Sequence, residues 1–441
     1  MKYLLAVVTF CLLPLFCNTS WSQSRLEKVL SDHESITANG FWLYNNLEAG
    51  KQAAKKQGKP IIVTFRCIPC EECVKLDEAL IEADREIQDL LSNYIRVRQV
   101  SNNGLDMNTF QFDYDQSFNV MLMNADGTVY GRFGTRSDRT EWEGDVSIRG
   151  LAEALRKGLQ IHRRYPNNQE ELAGKQGEKA LFPTPNESPL HQGKFPEKLV
   201  FNDQVVKNCI HCHMVGDAQR DYFVRQGQPI PDKYLFQYPH PKIFGLIVDP
   251  ETCGTLKNVT EGSLAEKSGF QTGDEILSIN QQPVVSIADM QWVFQNAESS
   301  DTLNFQVKRD DKTESLSLPL EEGWRSQGDI SWRVTSWPLR AMVFGGMVLK
   351  PIEDPELKQQ MSGRKLALQV THVGQYGKHA TAKNAGIQKG DIVIQFAGRN
   401  DLPRETDLLA FGVQNFKVGD SIEIVALRDG QEKRFTIPFQ E

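Results

Sequence analysis

The chain has 441 residues, a formal net charge of −7 and 24% charged residues. Its length is enough for about three domains of ordinary size. A hydrophobic content of 40% is usual for a globular protein. The acidic balance argues against a nucleic-acid-binding protein, and no basic cluster with interleaved aromatic residues is present in the sequence.

Residues 1–22 have the features of a secretory signal peptide. Lys2 supplies the charged start, and the apolar run that follows is too short to span a bilayer. Ser20 and Ser22 are small residues at the positions that a cleavage site after Ser22 requires. Cys17 is an alternative, lipoprotein-type attachment site, although the residue before it is bulkier than such sites prefer. No later segment is long and apolar enough to span a membrane, so we expect an exported, periplasmic or envelope-facing protein.

The functional predictions depend mainly on cysteines. Two of the eight cysteines fall in the signal peptide. An oxidising compartment favours disulfides, but disulfides that brace a fold usually close longer loops than the C-x-x-C spacing found here. The closely spaced cysteines therefore indicate redox or cofactor chemistry. The one isolated cysteine of the mature chain is expected to be a buried, unpaired thiol. The residues are the first cluster Cys67, Cys70 and Cys73, the second cluster Cys209 and Cys212, and the isolated Cys253.

The first cluster lies between a predicted strand and a predicted helix. The run 60–65 is apolar and β-rich, and the run 74–81 is compatible with a helix. Cys70 thus falls at the turn, where a helix N-terminus stabilises a thiolate. Cys73 can then attack a mixed disulfide and release the product. We expect Cys70 to be the attacking thiol and Cys73 the resolving thiol, with Cys67 able to resolve or store a disulfide.

This strand, turn and helix resemble a thioredoxin-like domain. The resemblance implies an α/β fold over residues 27–165 and a redox role, with a redox-silent module and a structural disulfide as the alternative. The sequence departs from the family pattern in having Pro69 before Cys70 and no proline at 117–119. The other elements predicted for this domain are helices at 42–57, 86–91 and about 147–163, a strand at 94–100, and a hairpin of strands 119–123 and 128–133.

The second cluster continues into a histidine and has the C-x-x-C-H spacing of covalent haem attachment. In that chemistry two thiols add to the vinyl groups, and the following histidine becomes the proximal iron ligand. We therefore expect haem c on Cys209, Cys212 and His213, with His240 as the candidate sixth ligand. A zinc site that also uses His211, or plain redox thiols, are the alternatives.

The last two hundred residues contain an internal repeat. Residues 268–280 recur at 385–397 with two glycines and an aspartate at matching places. The glycines permit a sharp turn, and the aspartate is expected to fix it. The pattern resembles PDZ domains of the bacterial periplasmic type and implies two such domains, at 241–320 and 338–441. The elements expected after each copy are helices at 287–296 and near 406–414, and hairpins turning at 310–311 and 429–430.

The resemblance to PDZ domains implies binding of peptide C termini. Such a domain adds the peptide as a strand beside one of its own, and backbone N–H groups of a glycine loop hold the carboxylate. The alternative use of either copy is as a rigid arm or an oligomerisation surface. The matching loop residues are Phe244, Gly245, Leu246 and Ile247 in the first copy and Phe344, Gly345, Gly346 and Met347 in the second.

Three tryptophans lie between the two copies. Trp324, Trp332 and Trp337 are expected to pack on the core of the second copy. An aromatic ligand site is the alternative for this stretch.

The domain order resembles a bacterial group of exported thioredoxin-like and PDZ domain proteins, some of whose members are selenoproteins. The expected architecture is an α/β domain, a linker at 166–198, a C-x-x-C-H segment at 199–240 and two α+β PDZ domains, so that the C-terminal half is mainly β. The first hypothesis is an exported thiol–disulfide or electron-transfer protein that docks client C termini and works with redox partner proteins. A non-enzymatic envelope adaptor with a degenerate thioredoxin fold is the second hypothesis, and a small cytochrome is the third.

Overall fold

A computed structural model describes residues 24–68, 84–116, 118–137 and 144–440. The predicted signal peptide, Cys70 and Cys73 lie outside these ranges. Within the described part of the chain, no helix is both long enough and apolar enough to cross a membrane.

The N-terminal domain is built on a five-stranded mixed sheet. Its strands are β1 (Leu43–Tyr44), β2 (Ile61–Arg66), β3 (Ile95–Gln99), β4 (Phe118–Met123) and β5 (Val129–Phe133). Their order across the sheet is β1-β3-β2-β4-β5. Strands β1 and β2 run parallel to β3, whereas β4 is antiparallel to both β2 and β5. Alternate residues of β4 enter apolar clusters on opposite faces, with Leu122 on one and Met121 on the other, so the domain has a core on each side.

Helices cover this sheet. In the described ranges of this domain the helices are α1 (Arg25–Asn39), α2 (Leu47–Gln57), α3 (Arg85–Leu91) and α4 (Ile148–Arg164). The β4–β5 hairpin is confirmed, and so is the last helix, whose predicted N-cap Ser147 accepts from Gly150 N at 2.9 Å. The helix predicted from Trp42 is wrong in its first turn. Asn46 caps α2 at Leu47, and the residues before it pair with β3 as a short strand.

The stretch expected to be a linker, 166–198, packs against the folded domains. Lys175 is only 1% exposed, and its Nζ lies 3.0 Å from Asp289 Oδ2. Phe182 and His191 are also buried. Polar groups of this stretch form ion pairs and backbone hydrogen bonds with the folded domains, which is why a polar composition does not make it a free linker. The short helices between the N-terminal domain and the repeats are α5 (Gln169–Leu172), α6 (Val205–Asn208), α7 (Cys212–Arg225) and α8 (Asp232–Leu235).

The two repeats have the predicted helices and hairpins, and Ser286 caps its helix as expected. The first repeat contains β6 (Leu246–Val248), β7 (Leu256–Val259), α9 (Leu264–Lys267), β8 (Glu275–Ile279), β9 (Gln282–Pro283), α10 (Ile287–Asn296), β10 (Asp301–Arg309) and β11 (Lys312–Leu320). The second contains α11 (Ser336–Phe344), β12 (Met347–Pro351), α12 (Pro355–Gln360), β13 (Leu368–Val373), α13 (Thr381–Asn384), β14 (Ile392–Phe396), α14 (Glu405–Asn415), β15 (Ser421–Arg428) and β16 (Gln431–Pro438).

The same ion pair fixes the repeated turn in both copies. Asp274 receives two hydrogen bonds of 2.7 Å from Arg309 in the last hairpin of the first repeat. Asp391 receives bonds of 2.7 and 2.8 Å from Arg428 at the equivalent place of the second. The structural role predicted for the aspartate is confirmed, and a bidentate arginine provides it.

The tryptophans between the repeats separate, contrary to the expectation that all three pack on the second repeat. Trp324 lies in the core of the first repeat, 5.4 Å from the ring of Phe244. Trp337 makes edge contacts with His372 and His379 of the second repeat. Trp324 and Trp337 thus each pack on the repeat closest to them along the chain. Trp332 instead lines a cavity between units.

A buried ion cluster joins the N-terminal domain to the stretch between the repeats. Arg333, which is 5% exposed, donates to Asp113 at 2.7 and 3.0 Å and to Asp115 at 3.2 Å. Asp115 also accepts from the backbone and hydroxyl of Thr335, at 3.0 and 2.7 Å. The cluster therefore fixes the path of the chain between the two repeats.

The first repeat is seated directly on the N-terminal domain through α10. Asp289 Oδ1 accepts from Arg132 N at 3.1 Å, and the guanidinium of Arg132 lies 3.7 Å from the ring centre of Trp292. Gln291 accepts from the hydroxyl of Thr135 at 2.5 Å. These contacts cover α10 and hold the repeat against β5.

Candidate functional site

Cys67 of the first cluster and Cys209 of the second lie beside the same histidine, His211. Cys67 directly follows β2, and its Sγ lies 3.1 Å from Nδ1 of His211. The Sγ of Cys209 lies 3.8 Å from the same nitrogen. No sequence signal predicts this contact, because the two segments are far apart in the chain. The C-x-x-C-H segment therefore lies against Cys67, the one residue of the first cluster that the structure describes.

Two asparagines hold the C-x-x-C-H segment on the N-terminal domain. Asn102 donates to the carbonyl oxygen of Ile210 through its backbone, at 3.0 Å, and through its side chain, at 3.2 Å. Asn103 Oδ1 accepts from Ile210 N at 2.8 Å. The sequence analysis missed both residues. The sequence feature that could have indicated them is the pair of adjacent asparagines just beyond the end of β3, because polar side chains at such a place seldom pack in a hydrophobic core.

The two cysteines of the second cluster differ in environment. Cys209 is 8% exposed, and burial raises the pKa of its thiol to about 12. Cys212 is half-buried, begins helix α7, and accepts a hydrogen bond from Asn102 Nδ2 at 3.4 Å. A helix N-terminus and an amide donor both stabilise a thiolate. Cys212 is thus suited to attack a disulfide, and Cys209 is suited to be its protonated partner.

The histidines of the segment are neutral at neutral pH. Burial lowers the pKa of His211 to about 4, and the nearby His213 and Arg25 act in the same direction. Burial also lowers the pKa of His213, although Asp115 opposes the shift. A neutral imidazole can accept a proton or a hydrogen bond from a thiol. His211 is therefore placed to exchange a proton with the sulfur atoms beside it.

Covalent haem does not fit the segment in this packing. Both sulfur atoms would have to reach the vinyl groups of the macrocycle. The sulfur of Cys209 instead lies against the N-terminal domain, 3.8 Å from the carbonyl oxygen of Val100. His240, the candidate sixth ligand, contacts Asp145 at 3.5 Å and Lys242 N at 3.3 Å. Haem c on Cys209, Cys212 and His213 stays a prediction that would need the segment to move.

The remaining metal and thiol expectations concern other residues. Within the described ranges, no group of three or more His, Cys, Asp or Glu is arranged to hold a metal ion, which leaves the zinc alternative without support there. Cys253 is 2% exposed, and burial raises the pKa of its thiol to about 12. The expectation that Cys253 is a buried thiol is confirmed.

The glycine loop of the first repeat is closed by local bonds. Gly245 adopts a φ of 88°, and a Cβ there would lie 2.3 Å from Ser263, so only glycine fits. Its N–H donates to the carbonyl oxygen of Lys242 at 3.0 Å. Phe244 and Leu246 are core residues, and Ile247 is half-buried. The N–H of Gly245 is thus already bonded within the chain.

The loop of the second repeat is closed more tightly. Phe344, Gly345, Gly346 and Met347 are all buried. The N–H of Gly346 donates to Arg340 O at 3.0 Å and completes the end of α11. On the adjoining edge strand, β12, the N–H of Leu349 donates to the carboxylate of Glu405 at 2.7 Å. A peptide that added beside β12 would have to displace this carboxylate.

Comparison with known proteins identifies two of these units. Residues 42–125 match the family model described as thioredoxin-like, and residues 244–320 match that of the PDZ domain. A protein of Pseudomonas savastanoi pv. phaseolicola named "Probable periplasmic serine endoprotease DegP-like" is 27% identical over 202 residues, which cover 45% of this chain and 39% of that protein. A protein of the same name from a Marinomonas species is 23% identical over 199 residues, covering 45% and 38%.

The chain therefore spans about two fifths of the length of these curated relatives. Among solved structures, the HtrA-type protease AlgW with tripeptide is similar with a TM-score of 0.18 and 15% identity, covering 31% of this chain and 52% of that one. The family models rather than these partial likenesses define the architecture. The chain contains a thioredoxin-like domain, matched over residues 42–125, and a PDZ domain, matched over residues 244–320.

Proposed function

We propose that this protein is an exported thiol–disulfide oxidoreductase with two cysteine pairs. In this proposal the thioredoxin-like domain exchanges electrons with the C-x-x-C-H segment packed on it. The main support is the distance of 3.1 Å between Cys67 Sγ and His211 Nδ1, which brings the second cluster to the end of β2. Export is supported by the signal-like N-terminus and by the similarity to proteins named as periplasmic.

The proposed reaction is thiol–disulfide exchange in two stages. The Cys70 thiolate attacks a client disulfide and releases one client thiolate, and Cys73 then attacks Cys70, releases the second thiolate and leaves a Cys70–Cys73 disulfide. In the second stage Cys212 attacks this disulfide and Cys209 closes on Cys212. The first pair is thereby reduced and the second pair oxidised. Two electrons move in each stage, and a dithiol of a redox partner protein then reduces the Cys209–Cys212 disulfide.

Proton transfer in the second stage is assigned to His211. Cys209 is protonated at neutral pH and must lose its proton as its sulfur bonds to Cys212. Neutral His211 lies 3.8 Å from this sulfur and is the base nearest to it among the described contacts. The thiolate that leaves the first pair can take the proton back. With a pKa of about 4, His211 is too weak a base to hold this proton, so its role is to hydrogen-bond the thiol while the proton passes to the leaving thiolate.

Reduction of insulin disulfides tests the first stage. We expect the mature protein to be active and Cys70→Ser to lower the rate by about 100-fold or more. Cys253→Ala is the matched control, since it removes a buried thiol outside the proposed site, and it should keep the wild-type rate. An inactive wild-type protein would favour the adaptor hypothesis, in which the thioredoxin-like fold is an interaction module only.

A trapping experiment tests the second stage. The double variant Cys73→Ala, Cys209→Ala keeps the two attacking thiols and lacks both resolving thiols. Mild oxidation should then give a Cys70–Cys212 disulfide, detectable by mass spectrometry of a non-reduced digest. Cys73→Ala, Cys212→Ala is the control and should give much less cross-link to Cys209. Insulin reduction without any cross-link between the clusters would restrict the activity to the first cluster.

Peptide docking is proposed for the PDZ domain and for the second repeat, which we assign to the same fold because it reproduces the aspartate–arginine turn. Docking of client C termini would raise the local concentration of client disulfides at the thiols. Because Gly245 and Gly346 donate within the chain, docking requires each loop to open. Fluorescence anisotropy with a labelled peptide and its C-terminal amide tests this. Binding of the acid but not the amide supports docking, and equal or absent binding contradicts it.

A further inference from the structure

A cavity of about 430 Å³ lies where three parts of the chain meet. Its walls come from the end of the described stretch after β5, from residues 236–243 before the PDZ domain, and from residues 325–333 between the repeats. The volume falls in the range of small-molecule sites, and the cavity is partly open to solvent. None of the residues of the thiol centre lines it. The cavity is therefore a separate candidate site.

The lining is cationic. Its ionisable residues are Arg136, His240, Lys242, Arg325 and Arg333, against the single carboxylate of Asp329. Arg333 is neutralised by the buried aspartates described above, and Lys242 lies 2.7 Å from Asp145. Arg325 has no ion-pair partner in the described part of the chain. Its Nη2 donates only to the carbonyl oxygens of Gln295 and Ala297, at 3.0 and 2.7 Å. Asp232 and Glu298 lie near enough to oppose the lowering of its pKa by burial, but among the described residues no carboxylate contacts this buried guanidinium.

Two buried nitrogen atoms of the lining also lack a hydrogen-bond partner among the described residues. They are Nη1 of Arg325 and Nε2 of His240. Arg325 is 5% exposed, so water does not readily satisfy it. The Nε2 of His240 lies 3.5 Å from Asp145, which is long for a hydrogen bond. Buried polar groups are nearly always paired, so these two enclosed nitrogen atoms would gain an acceptor from a ligand only if their side chains turn toward the cavity.

The lining also contains apolar and aromatic side chains. Phe236, Ile243 and Trp332 line it. The guanidinium of Arg333 lies 4.8 Å from the ring centre of Trp332, and that of Arg136 lies 6.0 Å from it. These cations keep Trp332 at the wall. The cavity thus offers a surface for an apolar body beside an unpaired positive charge.

We propose that this cavity binds a small organic carboxylate with an apolar or aromatic body. The carboxylate pairs with Arg325, and the body lies against Trp332. Arg325 is the buried guanidinium of this lining that no described carboxylate contacts, and a singly charged carboxylate adds less negative charge beside the nearby Asp232 and Glu298 than a phosphate dianion would. A carboxylate also has the acceptor atoms that the orphaned nitrogen atoms need. The site does not depend on the proposed redox function.

Isothermal titration of the full mature protein tests the proposal with phenylacetate, phenylacetamide, acetate and inorganic phosphate. Phenylacetate should bind saturably, and the neutral amide and the smaller acetate should each bind about 10-fold more weakly or worse. The affinity for phenylacetate should fall as salt rises, because an ionic contact contributes. Absent binding of phenylacetate, or binding of the amide or of phosphate with equal affinity, would overturn the proposal.

Two variants locate the site. Arg325→Gln should weaken phenylacetate binding about 10-fold or more, and Trp332→Ala should weaken it without changing any charge. Because Arg325 also bonds two carbonyl oxygens, circular dichroism must show that its variant is folded, and Trp332→Ala gives an independent test if it is not. Arg399→Gln is the control, since Arg399 pairs with Asp401 on the surface of the second repeat. Wild-type affinity in both cavity variants would place any binding elsewhere and refute the site.

Discussion

Replacing Arg333 with methionine should destabilise the protein more than any change to an exposed charge. Arg333, Asp113 and Asp115 are each 5% exposed, so the variant leaves two carboxylates buried without their cation. Removing one partner of a buried ion pair typically costs about 3–5 kcal/mol. The bonds from Thr335 to Asp115 persist in the variant and partly compensate. We therefore expect the free energy of unfolding to fall by an amount near the lower end of this range, about 3 kcal/mol.

Urea unfolding followed by tryptophan fluorescence measures this loss. Arg399→Met is the matched control, because its pair with Asp401 is about half exposed, and it should leave the free energy of unfolding almost unchanged. Since Arg333 joins separate parts of the chain, the variant should also split the transition into two steps. A loss below about 1 kcal/mol with a single unchanged transition would show that the cluster does not couple the domains.

The pH dependence of the same variant gives a second check on the mechanism. In the native protein burial raises the pKa of Asp115, but Arg333, Arg220 and the bonds from Thr335 outweigh it and hold this pKa below its usual value. Arg220 stays in the variant, but burial is the largest single effect, so without Arg333 the pKa of Asp115 should rise above that of the unfolded chain. The folded variant then binds more protons than the unfolded chain as pH falls. The difference in unfolding free energy between the wild-type protein and the variant should therefore shrink between pH 7 and about pH 4. A deficit that grows in this range would contradict the assignment.

Three further predictions concern the thiol centre. Because the pKa of His211 is lowered to about 4, the unfolded chain binds more protons than the native protein below pH 6.5. The protein should therefore lose about 2 kcal/mol of stability between pH 7 and pH 5. His211→Asn should flatten this dependence of stability on pH, and an unchanged dependence would be evidence against a buried neutral imidazole. Iodoacetamide should alkylate Cys212 at least about 10-fold faster than Cys209 in the native protein, as read by mass spectrometry, and equal rates would contradict their assigned roles. Protein exported from a host that matures c-type cytochromes should be colourless, because Cys209 is packed against Val100. A haem band that survives denaturation would instead establish haem c and remove Cys212 from thiol exchange.

Much of the fold was predictable because its signals are local. Ser147 and Ser286 cap their helices where the sequence places them, and the hairpin turn at Asp310 and Asp311 has the positive φ values that such turns require. The repeated aspartate has its predicted role in both copies. The error at Trp42 has the opposite cause, since pairing of β1 with β3 is a tertiary contact that overrides an amphipathic pattern.

The candidate site was predictable in its parts and not in its assembly. Each cysteine cluster is visible from its spacing, and the choice of Cys70 and Cys73 rests on that spacing alone. Their meeting depends on Asn102 and Asn103, whose side chains bond the backbone of Ile210. A side chain that bonds a backbone places no requirement on the residue type of its partner. Such a contact leaves no complementary signal in a single sequence.

The position at which α7 begins decides between the chemistries that a C-x-x-C-H spacing permits. The helix starts at Cys212, the second cysteine, while Cys209 is held outside the helix with a protonated, buried thiol. In the first cluster the predicted helix begins near Cys70, the first cysteine of its C-x-x-C pair. The attacking thiol therefore comes first in that pair, whereas in the second cluster it comes second. The reversal places the buried thiol of the second pair, and not its reactive one, beside His211 and Cys67. In the proposed cycle a partner opens the oxidised second pair at the half-exposed Cys212, and Cys209 leaves as a thiolate that takes up a proton beside His211.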